Sequence, residues 1–206
     1  MKNEKTKYLY GMWKSPISTS FMGRGITFSE VGFDDDGSLI WLENRSDRGV
    51  IMIQLSDEEA ARELNSERSV RARVGYGGGD FTVGQGTVYF VEADTGRLYR
   101  QLITQPGPAA PLTPAFGSAA SPTLSPNNKW IVYVHSYEGK DTLAVVDSMG
   151  NHWPQVLVSG DDFYMQPTWH PDNQQLAWVC WNHPNMPWDG SLLRLAKLQI
   201  SNTQAG

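Results

Sequence analysis

Apolar residues come in short runs along this chain, and nearly every run is bounded by Gly, Pro, Asn or Asp. Leu39-Ile40-Trp41-Leu42, Val88-Tyr89-Phe90-Val91 and Ile131-Val132-Tyr133-Val134 are typical. Runs of four to eight residues, rich in β-branched and aromatic side chains and stopped by turn formers, predict strands rather than helices. One stretch, Asp57-Glu58-Glu59-Ala60-Ala61-Arg62-Glu63-Leu64, has helical propensity, although the repeat register described next places it near an outer strand or connector. Residues 130–134 and 176–181 are apolar at nearly every position instead of alternating. Such strands predict sheets covered on both faces.

The runs repeat. Ser121-Pro122-Thr123-Leu124-Ser125-Pro126-Asn127-Asn128-Lys129-Trp130-Ile131-Val132-Tyr133-Val134 aligns without a gap on Gln166-Pro167-Thr168-Trp169-His170-Pro171-Asp172-Asn173-Gln174-Gln175-Leu176-Ala177-Trp178-Val179, at an offset of 45. Each copy reads as strand, tight turn, strand, because Asn and Asp tolerate the left-handed backbone that a hairpin turn needs. Two looser copies lie upstream, in Asp36-Gly37-Ser38-Leu39-Ile40-Trp41-Leu42 and in Gly84-Gln85-Gly86-Thr87-Val88-Tyr89-Phe90-Val91. Taking Leu39, Val88, Ile131 and Leu176 as equivalent gives spacings of 49, 43 and 45. A following strand recurs at Ile51, Leu98, Leu143 and Leu192, and a polar outer strand at Leu64, Leu112 and Leu157.

A period near 45 with about four strands per unit is the signature of a β-propeller. The prediction is an all-β chain, a partial β-propeller of about four four-stranded blades. Their bounds are approximately 28–65, 80–114, 121–160 and 166–200, after an N-terminal segment 1–27. The fourth unit has no outer strand before the polar tail, so the last blade is expected to be incomplete, in either an unusually small ring or, the favoured reading, part of a larger one.

Composition narrows the functional classes. With 17 Lys+Arg against 22 Asp+Glu the net charge is −5, which offers no basic footprint for nucleic acid or an anionic membrane. No apolar run approaches the ~18 residues needed to span a bilayer. The basic start, Met1 to Lys7, is followed by no apolar core or cleavage site of an export signal. Cys180 is the only cysteine, so no internal disulfide can form. A cytoplasmic location is the expectation.

Five collinear blocks then resemble the N-terminal propeller of the prolyl oligopeptidase family of serine peptidases, in its acylaminoacyl-peptidase/dipeptidyl-aminopeptidase-like branch. Tyr10-Gly11-Met12-Trp13-Lys14-Ser15-Pro16-Ile17 is similar to the opening YGxWxSPI, and Trp41-Leu42-Glu43-Asn44-Arg45 to WxExR. Val70-Arg71-Ala72-Arg73-Val74 with Tyr76-Gly77-Gly78-Gly79 resembles VRTRVHEYGGG, although Val74-Gly75-Tyr76 is one residue shorter and lacks the acid. Gly96-Arg97-Leu98-Tyr99 is similar to a blade-closing block. The stretch from Asp162-Phe163-Tyr164 through Trp188-Asp189-Gly190 resembles DFYxxPxxSPDGxxLAWxxWDHPNMPWDG, with His170 in place of a Ser and Asn182 in place of an Asp. The resemblance implies a propeller that filters short peptides toward a hydrolase site, in an enzyme releasing acyl-amino acids or dipeptides. It covers none of the α/β-hydrolase domain.

The chain carries no recognisable machinery for that chemistry. Acyl transfer on that fold needs a Ser on a G-x-S-x-G elbow with a His base, and no serine here is flanked by glycines two positions to either side. His135, His152, His170 and His183 have no motif partner. No catalytic residue, cofactor or metal ligand is assigned. Gly75-Tyr76-Gly77-Gly78-Gly79 lacks the following helix that a phosphate loop requires, and reads as a tight bend between blades. Asp34-Asp35-Asp36-Gly37 lacks the ligand spacing of a calcium loop and reads as a hairpin turn. Cys180 reads as a small buried hydrophobe. Arg71, Arg73, Trp181 and Asp189 are the candidates for channel or interdomain contacts. The expected partners are the hydrolase domain and remaining blades of a longer polypeptide, or further copies of this chain, with a peptide substrate for the full-length form. The rival reading is a stand-alone scaffold akin to TolB-type repeats, binding a protein partner. It rests on the Ser/His-Pro-Asn/Asp-Asn turn of the two best copies.

Overall fold

A computed structural model describes residues 7–12, 25–64, 66–74, 78–104 and 107–198. Residues 13–17 of the opening block, Tyr76-Gly77 and the tail 201–206 lie outside the described residues. The fold is almost entirely β, in four small antiparallel sheets that follow one another along the chain. The first holds β1 (Thr27–Phe33), β2 (Leu39–Asn44), β3 (Gly49–Gln54) and β4 (Arg62–Glu63). The second holds β5 (Phe81–Gly84), β6 (Thr87–Val91), β7 (Leu98–Leu102) and β8 (Ala110–Pro111). The third holds β9 (Ser118–Leu124), β10 (Trp130–Tyr137), β11 (Lys140–Asp147) and β12 (Gln155–Val158). The fourth holds β13 (Phe163–Trp169), β14 (Gln175–Trp181) and β15 (Leu192–Lys197), with a single turn of helix, α1 (Pro187–Gly190), before the last strand. Strand order within each sheet is sequence order. This is a four-blade propeller arrangement, with three strands described in the fourth blade.

The turns form as their residues dictate. Asn128 and Asn173, equivalent in the repeat, have φ of 58° and 64°. The Asn128 amide donates to the Ser125 carbonyl and the Asn173 amide to the His170 carbonyl. Asp34 to Gly37 closes the β1–β2 hairpin, with the Gly37 amide donating to the Asp34 carbonyl. The acidic stretch with helical propensity makes a turn and then β4, the outer strand where the repeat register places it. There the ladder with β3 takes up backbone groups that a local helix would have satisfied, and tertiary pairing overrides propensity.

Blades stack through the middle of their sheets. Ile40 and Leu42 of the first blade pack with Phe81, Val88 and Phe90 of the second. Tyr89 and Val91 pack with Ile131 and Tyr133 of the third. Val132 and Val134 pack with Leu176, Trp178 and Cys180 of the fourth. Successive residues of a strand face opposite ways, so each middle strand gives alternate side chains to the blade behind and the blade ahead. That is why residues 131–134 are apolar throughout and all buried. Among the described residues, the blades that pack substantially are first on second, second on third and third on fourth.

Candidate functional site

The innermost strands, β1, β5, β9 and β13, pack on one another in turn and form the wall nearest the propeller axis. Three of them are bulged at one repeat position. The register slips between Phe28 and Val31, opposite Ser121, and at Gln166, and Ser121 and Gln166 have φ of 49° and 51°. A bulge bends a strand and re-aims its side chains. In the second blade the same position holds Gly78, whose hydrogen, replaced by a Cβ, would stand 2.0 Å from Ser121 Oγ.

This bulged level is stitched from blade to blade by hydrogen bonds. Glu30 on β1 accepts from the Asp80 amide at 2.8 Å and from the Phe81 amide at 3.2 Å. Asp80 in turn accepts from the Ala72 amide at 2.6 Å. The Gly79 amide donates to Ser121 Oγ at 3.1 Å, and the Ser121 amide to the Gly79 carbonyl at 2.8 Å. Burial pushes both the Glu30 and the Asp80 carboxyls up. For Asp80 the Ala72 amide and then the Arg71 guanidinium oppose that shift.

Every inner strand starts at the same end of the propeller, where the β2–β3, β6–β7, β10–β11 and β14–β15 connections also lie. The segment carrying Arg71 and Arg73 crosses here from the first blade to the second. Its backbone is fixed by the Val70 amide on the Gly49 carbonyl, the Arg71 amide on the Val91 carbonyl and the Ala93 amide on the Ser69 carbonyl. Both arginine side chains are exposed.

On the fourth blade the β14–β15 connection is much longer than the others and folds back on the approach to β13. The Asp162 amide donates to Asn182 Oδ1 at 2.6 Å, Asn182 Nδ2 donates to Asp161 at 2.8 Å, and the His183 amide donates to Asp162 at 2.9 Å. The Phe163 ring stacks on Trp181 at 5.2 Å and meets His183 edge-on at 4.9 Å. The Cys180 thiol and Asn182 hold the Asp161 carboxyl below its usual range, with Arg194 3.8 Å away. Burial, and then Asp161, pushes the Cys180 thiol up, which suits a packed side chain and not a nucleophile.

The sequence candidates therefore gather at one end of the molecule in two groups. Arg71 and Arg73 stand on the crossing segment. Trp181 is 1% exposed and packs under Phe163. Asp189 is exposed in α1 and accepts from the Met186 amide at 3.4 Å. Sequence reasoning passed over Glu30, Asp80 and Asp161. None of the three stands at the repeated bulge position itself, which Ser29, Gly78, Ser121 and Gln166 occupy, ten residues before Leu39, Val88, Ile131 and Leu176. The WxExR block also has a structural basis. Trp41 Nε1 donates to Glu43 at 3.1 Å, and Arg45 bridges Glu43 at 2.9 Å and Glu63 at 2.5 Å.

Chemically this end can bind and orient. Among the described residues no serine or cysteine side chain hydrogen-bonds a histidine ring. No group of three or more His, Cys, Asp or Glu among them is placed to hold a metal ion, and no described helix is long and apolar enough to cross a membrane.

No family model and no curated protein matches the chain. Solved structures do. A puromycin-hydrolysing peptidase from Mycobacterium tuberculosis superposes with a TM-score of 0.78 at 28% identity, over 95% of this chain and 34% of that one. A puromycin hydrolase gives 0.77 and 27%, over 95% and 34%. TolB from Acinetobacter baumannii gives 0.65 at 13% identity, over 84% and 41%, a likeness of fold alone. The puromycin-hydrolysing neighbours are prolyl oligopeptidase family peptidases, matched in their propeller and not in their peptidase domain. The chain spans about a third of the length of the peptidases it matches.

Proposed function

We propose that this chain is the non-catalytic, amino-terminal propeller portion of a cytoplasmic serine peptidase that releases acyl-amino acids or dipeptides from short peptides. Its inner strands would gate access to the hydrolase site. The observation that carries the reading is identity of 28% sustained over 95% of the chain with a peptidase's propeller. The physical role follows from shape. A narrow channel admits an extended peptide and excludes a folded one, and a covered site excludes water and wrong substrates. Arg71 and Arg73 place two cations where a peptide carboxylate or an acidic interdomain surface would meet them. Asp189 offers the opposite charge across the same end. Trp181 contributes from beneath, by holding Phe163.

The test begins with the intact mass of the native product in the source cell, followed by assay of that protein on acyl-aminoacyl and dipeptidyl chromogenic substrates. A longer polypeptide that cleaves them, with a raised KM in Arg71→Ala or Arg73→Ala, is the expected result. A longer polypeptide inert on both substrate classes ends the peptidase reading. A native product of 23.0 kDa would favour the second reading, a TolB-like scaffold for a protein partner. That reading is supported by the Pro-Asn/Asp-Asn turns of the third and fourth blades.

A further inference from the structure

Away from the inner strands, the Gly96-Arg97-Leu98-Tyr99 block places a cation in a cavity. Arg97, just before β7, lines a space of about 270 Å³ between the second and third blades. One wall is the end of β8 and the crossing to β9, with Pro111, Thr113 and Pro114. The other is the connection from β11 to β12, with Asn151, Trp153 and Pro154. Both blades are packed on each side by a neighbour within the chain. The walls are held in place. Gly150, at φ 76°, turns so close to the first wall that a Cβ there would stand 2.9 Å from Leu112 Cδ2. The Met149, Asn151 and His152 amides all donate to Asp147 and fix the second wall. Arg97 Nε donates to the Thr113 carbonyl at 2.7 Å, and the guanidinium stands 5.7 Å from the centre of the Tyr99 ring. Those contacts orient the guanidinium, while its two terminal nitrogens have no partner among the described residues. Arg45 differs, because its terminal nitrogens are paired with Glu43 and Glu63.

No Asp or Glu lines this cavity. The carboxylate behind the second wall, Asp147, is taken up by its three amides and by His152, whose Nδ1 lies 3.4 Å from Oδ2. Trp153 is 68% exposed, and its ring is placed by Phe116, stacked on it at 6.3 Å and 26°. A guanidinium fork matches both oxygens of a carboxylate, and an exposed indole offers a flat apolar surface on which another ring packs. We infer that this cavity binds a small aromatic carboxylate, with the carboxylate on the terminal nitrogens of Arg97 and the ring against Trp153, Pro114 and Pro154. Size sets the class. The cavity is just below the roughly 300–1,000 Å³ of drug-sized sites, which admits one ring on a short acid chain and excludes a longer peptide. This inference goes beyond the peptidase reading and does not rest on it, since none of Arg71, Arg73, Trp181 and Asp189 lines the cavity.

The experiment is saturation-transfer NMR of 3-phenylpropanoate with the intact protein at neutral pH, beside the uncharged 3-phenylpropanamide. The acid is expected to bind with Kd of order 1 mM, as suits so small a ligand, and the amide about tenfold or more weakly, because it cannot take the charged fork. That comparison needs no variant. Arg97→Gln should weaken the acid about tenfold and leave the amide unchanged, whereas Trp153→Ala, at an exposed position, should weaken both several-fold. A cooperative thermal melt with unchanged far-UV dichroism confirms that each variant folds. No transfer to the acid at about 10 mM, ten times the expected Kd, overturns the inference, as does equal affinity for acid and amide. Binding lost in Arg71→Ala and kept in Arg97→Gln belongs to the channel end, and overturns it while leaving the peptidase reading standing.

Discussion

Asp147 shows how a single carboxylate organises a turn. Its Oδ1 accepts from the Met149 amide at 3.1 Å and the Asn151 amide at 3.0 Å, and its Oδ2 from the His152 amide at 2.8 Å. Burial pushes its pKa up, but the three amides together outweigh it and the group titrates below its usual range. Its contribution is therefore full above the unfolded-state pKa and is lost as pH falls through the lower folded value. Asp147→Ala leaves three amides without their acceptor and is expected to cost about 1–3 kcal/mol near neutrality. Urea melts should show that penalty shrinking in acid. Glu30 and Asp80 carry the opposite sign. Both fold with raised pKa, so their stabilisation is full below the unfolded value and is lost as pH rises through the folded one. Glu30→Gln should gain on the wild type in thermal melts as pH climbs from about 4 to about 7. A wild-type advantage that widens over that range would reverse the assignment of burial as the dominant cause. Neither effect is legible in sequence, because Asp147 and Glu30 look like any strand-end or strand acid until their amide partners are placed.

Elements depend on where backbones come close. Gly49 begins β3 directly beneath the crossing segment, and a Cβ there would stand 2.0 Å from the Val70 carbonyl oxygen. Gly49→Ala must push that segment away and is expected to destabilise by about 1–3 kcal/mol. Hydrogen exchange at the Val70 and Arg71 amides should quicken before that of β2. The strands themselves were readable from the apolar runs. Ile51, Leu98, Leu143 and Leu192 fall in β3, β7, β11 and β15 as the spacing predicts, because a strand's side chains repeat with the pleat and need no distant information. The bulges at Ser121 and Gln166 were not readable. A bulge is an agreement between two strands about which residue to leave unpaired, and only the ladder records it.

At the scale of the molecule, stability is shared between neighbours, as in other repeat architectures. The third blade is covered on both faces and the fourth on one, so local opening should be cheaper at the fourth than at the third. Amides of β14 and β15 are expected to exchange faster than those of β10 and β11. Leu176→Ala, at the junction of the third and fourth blades and fully buried, is expected to cost about 2–5 kcal/mol in denaturant melts.

The chain's own order of residues was enough to set the period, the strands, the turns at Asn128 and Asn173 and the likeness to a peptidase's propeller, since all of these are local patterns repeated. It also settled that no G-x-S-x-G elbow is present. Three-dimensional packing alone decided which faces each blade covers, which acids are buried against amides, and that Arg71, Arg73, Trp181 and Asp189 share one end. Those are relations between residues tens of positions apart, fixed when apolar faces are removed from water and every buried polar group must find a partner.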